Sequence, residues 1–182
     1  MQNKLWNCPG AWQKVIDHLT SLGYDCVAIS SEQSKLTGIV DHCGQSIEQT
    51  LTDISGASFY VGLNAGPTWL AYSLGIPHVM ITGVSEPWND PPNPYRVSID
   101  VCRPGCFNDP NIPIDRGWLW CPRNKDYACT REITPEMVIK MIDTLIKKEV
   151  THASKDKPIS RKKTGVRPVR SLKKERMANV RL

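Results

Sequence analysis

Residues 59–70, with the sequence FYVGLNAGPTWL, combine a short apolar run, a turn containing glycine, and the start of a second apolar segment. The first part predicts a strand over residues 58–62, and the last predicts a helix over 66–74. Gly75, Ile76 and Pro77 end that helix before another continuous apolar run over 78–82. A strand, a helix and a second strand in this order are typical of a unit with parallel strands.

The residues before this unit repeat the same alternation. Apolar residues recur at helical spacing between Pro9-Gly10 and Gly23, at Trp12, Val15, Ile16, Leu19 and Leu22. A β-rich run over 24–30 follows, and a second helical pattern covers 47–55. Strands separated by single helices predict an α/β fold with a Rossmann-like parallel sheet.

The rest of the chain divides into an irregular segment, a helix and a basic end. Periodicity disappears between residues 85 and 131 and returns at Thr134, where an apolar helical face begins. Residues 1–150 carry a net charge of −4, whereas residues 151–182 carry +9 and no aromatic residue. We therefore expect a Rossmann-like domain over 1–150, with a metal loop over 100–131, and a basic flexible tail over 151–182.

The composition favours a cytoplasmic protein with a real core. Hydrophobic residues make up 40% of the 182, and the chain opens without the pattern of a secretory signal. Glycine, asparagine and proline interrupt the most apolar stretch, residues 59–83, so we expect no membrane span. An odd count of seven cysteines favours free thiols or metal ligands over a disulfide framework.

The turn after the strand over 58–62 is a candidate anion site. Ligands bind at the carboxyl edge of an open parallel sheet, and unpaired amides at a helix start favour a phosphate. Gly66 would allow close approach, and Thr68 would add a hydroxyl. The alternative is an ordinary turn in which Gly and Asn only supply unusual backbone angles.

Four cysteines in the irregular segment form a candidate metal site. Cys102, Cys106, Cys121 and Cys129 can surround one ion, and soft sulfur ligands select zinc or iron. Such a site would be structural, because it holds together a loop with few apolar residues. The spacing differs from that of common zinc ribbons, so separate buried or free thiols remain the alternative.

Lys4 and Glu32 lie at positions in the sequence from which their side chains could contact a nucleotide. Lys4, before the first helix, can meet a phosphate as a mobile charge, and Glu32, just after the strand over 24–30, can accept from ribose hydroxyls. For both residues the alternative is an ordinary solvated side chain. The four histidines show no ligand spacing and no nucleophile beside them, so we assign them no chemistry.

Several of these motifs together resemble one family of enzymes. They are residues 4–7 (KLWN), 29–32 (ISSE), 59–70 (FYVGLNAGPTWL), 94–97 (PYRV) and 118–122 (WLWCP), with the four spaced cysteines. In this combination they resemble the bacterial autotransporter O-heptosyltransferases, relatives of the lipopolysaccharide heptosyltransferases. The resemblance covers roughly residues 4–146 and the C-terminal, donor-binding half of a two-domain GT-B fold, which implies that the domain over 1–150 binds a nucleotide sugar.

The resemblance implies a cofactor, a donor and partners. Family members transfer heptose from ADP-heptose to serines of autotransporter adhesins in the cytoplasm, bind an iron ion (Fe³⁺) through the cysteine quartet, and assemble as dodecamers. By this likeness Cys102, Cys106, Cys121 and Cys129 hold iron. The residues that contact the donor are then Lys4, Glu32, Asn64, Ala65, Gly66, Pro67 and Thr68. The family's general base lies in its other half, so we expect this chain alone to be inactive.

Two alternative functions use the same features differently. The basic segment over 151–182 and the four thiols are also typical of a nucleic-acid-binding protein stabilised by a bound metal ion. The cysteine loop carries few basic residues, however, and the basic segment lacks aromatic residues for stacking. The other alternative is an assembly module in which the cysteine loop builds a protein interface.

Overall fold

A computed structural model describes residues 4–31, 33–113, 119–153 and 179–181. The elements are α1 (Ala11–Ser21), β1 (Asp25–Ala28), β2 (Ile39–Asp41), α2 (Ile47–Ser55), β3 (Phe59–Leu63), α3 (Gly66–Ser73), β4 (His78–Ile81), β5 (Arg96–Val97), α4 (Ala128–Arg131), α5 (Pro135–Ala153) and β6 (Asn179–Arg181). Short 3₁₀ turns form at Pro87–Asn89 and Cys106–Asn108. No helix among these residues is both long enough and apolar enough to cross a membrane.

The six strands form one sheet in the order β2-β1-β6-β3-β4-β5, and every pairing is parallel. The expected α/β fold with a parallel sheet is therefore confirmed. Alternation along β3 divides its side chains between two apolar layers, with Phe59 and Val61 on one face and Tyr60 on the other. Both faces are covered, as parallel sheets require.

The larger apolar layer lies between the sheet and the helices α1 and α5. Its fully buried members include Val15, Ile16 and Leu19 of α1, and Ile142 and Leu145 of α5. Helical spacing brings each set onto one helix face, as the sequence predicts. The smaller layer, on the opposite face, contains Ile54 of α2 and Ala71 of α3.

The segment before α1 is fixed to residues at the end of the cysteine loop. The indole Nε1 of buried Trp6 donates to the carbonyl of Ile133 at 2.8 Å, and Asn7 Nδ2 donates to Thr130 Oγ1 at 2.8 Å. Both acceptors lie at the end of the cysteine loop or just after it. The start of the described chain and this loop are therefore parts of one packed unit.

A buried polar network joins the ends of three strands at the carboxyl edge of the sheet. Asp90, whose side chain is only 2% exposed, accepts from Asn64 after β3, from Ser85 Oγ at 2.6 Å, and from Arg96 Nε of β5 at 2.8 Å. Arg96 Nη2 also donates to the Ser85 carbonyl at 2.8 Å. Because each polar group has a partner, the network can be buried and holds this edge together.

Three strands differ from the sequence-based expectation. β2 and β5, at the two edges of the sheet, have only three and two residues, which are too few to show a periodic pattern. The third, β6, lies in the segment expected to be a flexible tail over 151–182, and α5 also continues to Ala153. The remainder of that segment lies outside the described residues.

We predict that protonation of His78 opposes folding. Burial lowers the pKa of His78 below its ordinary value of 6.5, its Nδ1 lies 3.0 Å from the Ile76 carbonyl, and its buried Nε2 has no partner among the described residues. Below about pH 6.5 the unfolded chain therefore binds a proton that the folded chain resists, and the free energy of unfolding falls.

Urea unfolding at pH 7.5 and pH 5.5 tests this prediction. His78→Phe keeps a ring beside Tyr72 and should lose less stability between the two pH values than the native chain does. The other titrating groups contribute equally to both proteins and cancel in the comparison. Equal losses in the two proteins would show that His78 does not contribute.

We also expect Asp90→Ala to lower the free energy of unfolding by about 3 kcal/mol or more, because it leaves Arg96 and Asn64 without their buried acceptor. A matched control is Asp100→Ala, since the pair of Arg103 and Asp100 is 67% and 63% exposed. That change should cost about 1 kcal/mol at most. Similar losses for the two variants, measured by urea unfolding, would contradict the role of the network.

Candidate functional site

A groove of about 450 Å³ opens at the carboxyl edge of the sheet. One wall is formed by residues that follow β1, a second by residues between β2 and α2 and in α2 itself, and a third by the first residues of α3. The lining residues are Ile29, Ser30, Ser31, Gly44, Gln45, Ile47, Thr50, Gly66, Pro67 and Leu70. Its volume falls within the range of small-molecule sites, and its position is where open α/β sheets bind ligands.

The start of α3 is open toward this groove. Ala65 caps the helix in an extended conformation without any side-chain hydrogen bond, and Pro67 occupies the first turn. A Cβ placed on Gly66 would meet no atom within 4 Å. Pro67 has no amide hydrogen and the Thr68 amide donates to the Ala65 carbonyl at 3.0 Å, so the turn offers an anion the Gly66 amide and the positive end of the helix dipole.

The polar side chains of the turn point into the protein. Thr68 is fully buried and its hydroxyl donates to the Leu63 carbonyl, while Asn64 donates to Ser85 and Asp90. Burial raises the pKa of neighbouring Tyr60 to about 12, although a hydrogen bond with Thr68 opposes this shift. These side chains fix the shape of the turn from inside.

The expected donor contacts are thus brought together only in part. Gly66 and Pro67 line the groove, whereas Asn64, Ala65 and Thr68 are not among its lining residues. Glu32 lies outside the described residues, although its neighbour Ser31 lines the groove. Direct contact of these residues with a donor stays a prediction.

Lys4 lies beside the cysteine loop. Its Nζ is 5.2 Å from the centre of the Phe107 ring, a cation–π distance, and Lys4 is not among the residues that line the groove. Its proposed contact with a phosphate also stays a prediction.

The wall formed by Gly44, Gln45, Ile47 and Thr50 was missed by sequence reasoning, because β2 was not recognised. A signal was present, since Ser46 caps α2 by accepting from the Gln49 amide at 3.3 Å. Ser46 and Gln49 have the three-residue spacing of a capping box. Because this capping pattern marks the start of α2, it places the loop before α2 at the same edge of the sheet as the turn at Gly66.

The cysteine loop packs directly against the end of β4. A Cβ on Gly83 would lie 2.1 Å from the Cys129 carbonyl oxygen, and one on Gly105 would lie 2.4 Å from the Val84 carbonyl oxygen. Glycine is required at both positions because the two backbones touch there. Hydrogen bonds at 2.8 Å from Gly105 N to Glu86 Oε1 and from Glu86 N to Asn108 Oδ1 complete the contact.

The four thiols of the loop influence one another. Burial, together with charge on Cys102, Cys106 and Cys121, raises the pKa of the Cys129 thiol to about 12. Cys106 is likewise buried, and its pKa is raised by burial despite a hydrogen bond from Arg123. The loop thus brings its four thiols into one neighbourhood.

Cys121 is surrounded by amide donors. Burial alone would raise the pKa of its thiol, but backbone amides of Tyr127, Lys125 and Arg123 donate to the sulfur and lower that pKa overall. The Lys125 amide lies 3.3 Å from Sγ. Amides directed at one sulfur stabilise its thiolate, which is the form that binds metals.

The donor chemistry of the loop fits a soft metal, although the side chains do not form a coordination shell as they stand. Among the described residues, no group of three or more His, Cys, Asp or Glu side chains is arranged to hold a metal ion. Four neighbouring thiols, one of them favoured as thiolate, nevertheless match the ligands that iron and zinc take.

Comparison with known proteins identifies relatives of the chain. No family model matches it. The autotransporter heptosyltransferase BAHTCr of Citrobacter rodentium is 35% identical over 159 residues, which is 79% of this chain and 39% of the relative. The autotransporter heptosyltransferase TibC of Escherichia coli gives the same identity and coverage.

Solved structures give the same relationship. The iron-containing dodecameric glycosyltransferase TibC from enterotoxigenic E. coli superposes with a TM-score of 0.74 at 34% identity, covering 81% of this chain and 43% of that one. TibC in complex with ADP-D-β-D-heptose gives a TM-score of 0.72 at 33% identity. The chain spans about two fifths of the length of the relatives it matches. Over most of its own length, therefore, the chain is a relative of the autotransporter heptosyltransferases and corresponds to part of them.

Proposed function

We propose that this chain is the donor-binding part of a protein O-heptosyltransferase and that its groove takes the ADP portion of ADP-heptose. The observation that carries the proposal is the uncapped start of α3 at Gly66, which opens into the groove of about 450 Å³. Such a helix start binds phosphates through its amides and dipole. Likeness to TibC, which has been solved with ADP-D-β-D-heptose, supports the choice of nucleotide and sugar.

Within the groove the chain's residues divide the tasks of binding. The Gly66 amide and the dipole of α3 would hold the diphosphate, and Ser30 and Ser31 on the facing wall are candidates for contact with ribose or sugar hydroxyls. Lys4, and Glu32 beside Ser31, are further candidates for contact with the donor. Asn64 and Thr68 would act by fixing the turn that presents Gly66.

The proposed reaction transfers heptose to a serine of an autotransporter adhesin. The serine oxygen forms a bond to the anomeric carbon, the bond from that carbon to the diphosphate oxygen breaks, and the serine proton passes to a general base. Positive charge at the start of α3 stabilises the departing ADP. We assign no described residue as the base, so the chain's own contribution is donor binding.

We further propose that Cys102, Cys106, Cys121 and Cys129 hold an iron ion. The four neighbouring thiols of the cysteine loop and the amides around Cys121 support this assignment. TibC is described as iron-containing, which favours iron over the chemically similar zinc. Bound there, the metal would supply a structural cross-link between the two ends of the loop.

We also propose that the chain assembles with further copies of itself and that it is located in the cytoplasm. TibC is dodecameric, and this chain exposes large apolar side chains such as Trp88, at 76%, and Leu119, at 70%. Exposed apolar groups of this size suit protein contacts. The nucleic-acid-binding alternative is not favoured, since the relatives are heptosyltransferases.

Gly66→Ala tests the donor site. The new methyl group meets no protein atom but occupies the space through which a phosphate reaches the amides, so the Kd for ADP should rise at least about tenfold. The free energy of unfolding should change by less than about 1 kcal/mol. Calorimetric titration with ADP measures the first quantity, and urea unfolding the second.

Gly56→Ala is the matched control. A Cβ at Gly56 makes an ordinary contact of 3.5 Å with the Thr52 carbonyl oxygen, and Gly56 lies beyond α2, away from the groove lining. This variant should bind ADP like the native chain. An unchanged Kd in Gly66→Ala would refute the placement of the diphosphate at α3.

Cys121→Ser tests the metal assignment. Loss of the thiolate removes one of four ligands, so the iron measured per chain by plasma mass spectrometry should fall strongly. Cys43→Ser, which changes a cysteine outside the loop, should leave the metal content unchanged. Full retention of iron in Cys121→Ser would exclude the four-thiol site, and zinc in the native chain would replace iron in the assignment.

A further inference from the structure

The last strand of the chain occupies the middle of the sheet. β6 pairs with β1 on one side and with β3 on the other, whereas β1 and β3 do not pair with each other. Among the described strands, β6 is thus the one that pairs with both the pair β2-β1 and the group β3-β4-β5. In the common doubly wound order this central position belongs to the strand that precedes the first helix.

The backbone flanking β6 is deeply buried. Cys26 and Phe59 both lie in register with Val180, and Val27 and Tyr60 with Arg181. All four flanking residues are at most 5% exposed. Their amides and carbonyls need a partner in this position, because buried backbone groups without one are costly.

The same strand separates two walls of the ligand groove. Ile29, Ser30 and Ser31 continue from β1, and Gly66 and Pro67 follow β3. Neighbouring strands lie about 4.8 Å apart, so a strand between β1 and β3 holds these walls about 10 Å apart. Without it, either the gap would close or the two parts of the sheet would separate.

We propose that the gap between β1 and β3 is a strand-binding site, that its occupant is the chain's own C-terminal segment 179–181, and that insertion of this strand assembles the ligand groove. The role of this strand in assembling the ligand groove rests on the proposed function. The 25 residues from 154 to 178 can span roughly 80 Å when extended, ample for β6 to return to the sheet from the end of α5. The parallel register on both sides identifies the segment as a full sheet strand.

Val180→Pro tests the insertion through the backbone. Proline removes an amide that a strand paired on both sides must use, and it is excluded from central strands. Val180→Ala keeps that amide, and Val166→Pro makes the same substitution outside β6. Hydrogen exchange followed by mass spectrometry reports the backbone amides of β1 and β3, and calorimetry reports ADP binding.

We expect exchange in β1 and β3 to accelerate at least tenfold in Val180→Pro, and ADP binding to weaken at least tenfold, with both controls close to the native chain. Exchange rates equal to those of Val180→Ala would overturn the proposal. A native chain that binds no ADP would refute the proposed function, while the exchange data would still decide whether the strand inserts. Faster exchange with unchanged ADP affinity would keep the strand site and overturn its role in the groove.

A peptide covering residues 170–182 keeps the test decisive if Val180→Pro does not fold alone. Adding the native peptide to the Val180→Pro chain should restore slow exchange in β1 and β3, or permit refolding. The same peptide with proline at position 180 should not do so. Equal results with the two peptides, whether both succeed or both fail, would overturn the strand site.

Discussion

The buried carboxylate of Asp90 is the contact on which the carboxyl edge of the sheet depends. It accepts from residues that belong to β5 or follow β3 and β4, and it lies beside the turn that starts α3. A charge this deeply buried is tolerated only with full pairing, which Arg96 and two neutral donors provide. This requirement fixes the relative positions of the strand ends, and with them the direction in which α3 faces the groove.

The turn from Asn64 to Thr68 shows how binding and positioning are divided within one motif. Its polar side chains are directed inward, where they bond Ser85, Asp90 and the Leu63 carbonyl. The ligand side is left to the Gly66 amide, the helix dipole and the empty space at Gly66. A phosphate requires donors and access rather than a particular side chain, so a rigid turn with a bare glycine meets the need.

Sequence reasoning predicted the layers well and the edges poorly. The helices α1, α2, α3 and α5 and the strands β1, β3 and β4 follow from periodicity, because each buries a whole face or strand in an apolar layer. β2 and β5 are too short to show a pattern, and β6 pairs far from its neighbours in sequence. Gly66 and Pro67, predicted as donor contacts, line the groove, but the inward direction of Asn64 depends on Asp90, which no local pattern connects to it.

The cysteine loop has too few apolar residues to offset its conformational entropy, so a cross-link would help to order it. The small apolar cluster at this loop consists of Cys106 packed against Val84, which follows β4, with Ile112 beside them. Ordering a residue's backbone costs about 1–2 kcal/mol, so a cluster this small cannot offset the entropy of a loop of some thirty residues. Hydrogen bonds from Arg123 to Asp109 and the Pro104 carbonyl, and from exposed Lys125 Nζ to the Val101 carbonyl, already join the two ends of the loop, and a metal would reinforce them. A metal held by thiols from both ends would close the loop onto β4, where Gly83 already lies against Cys129.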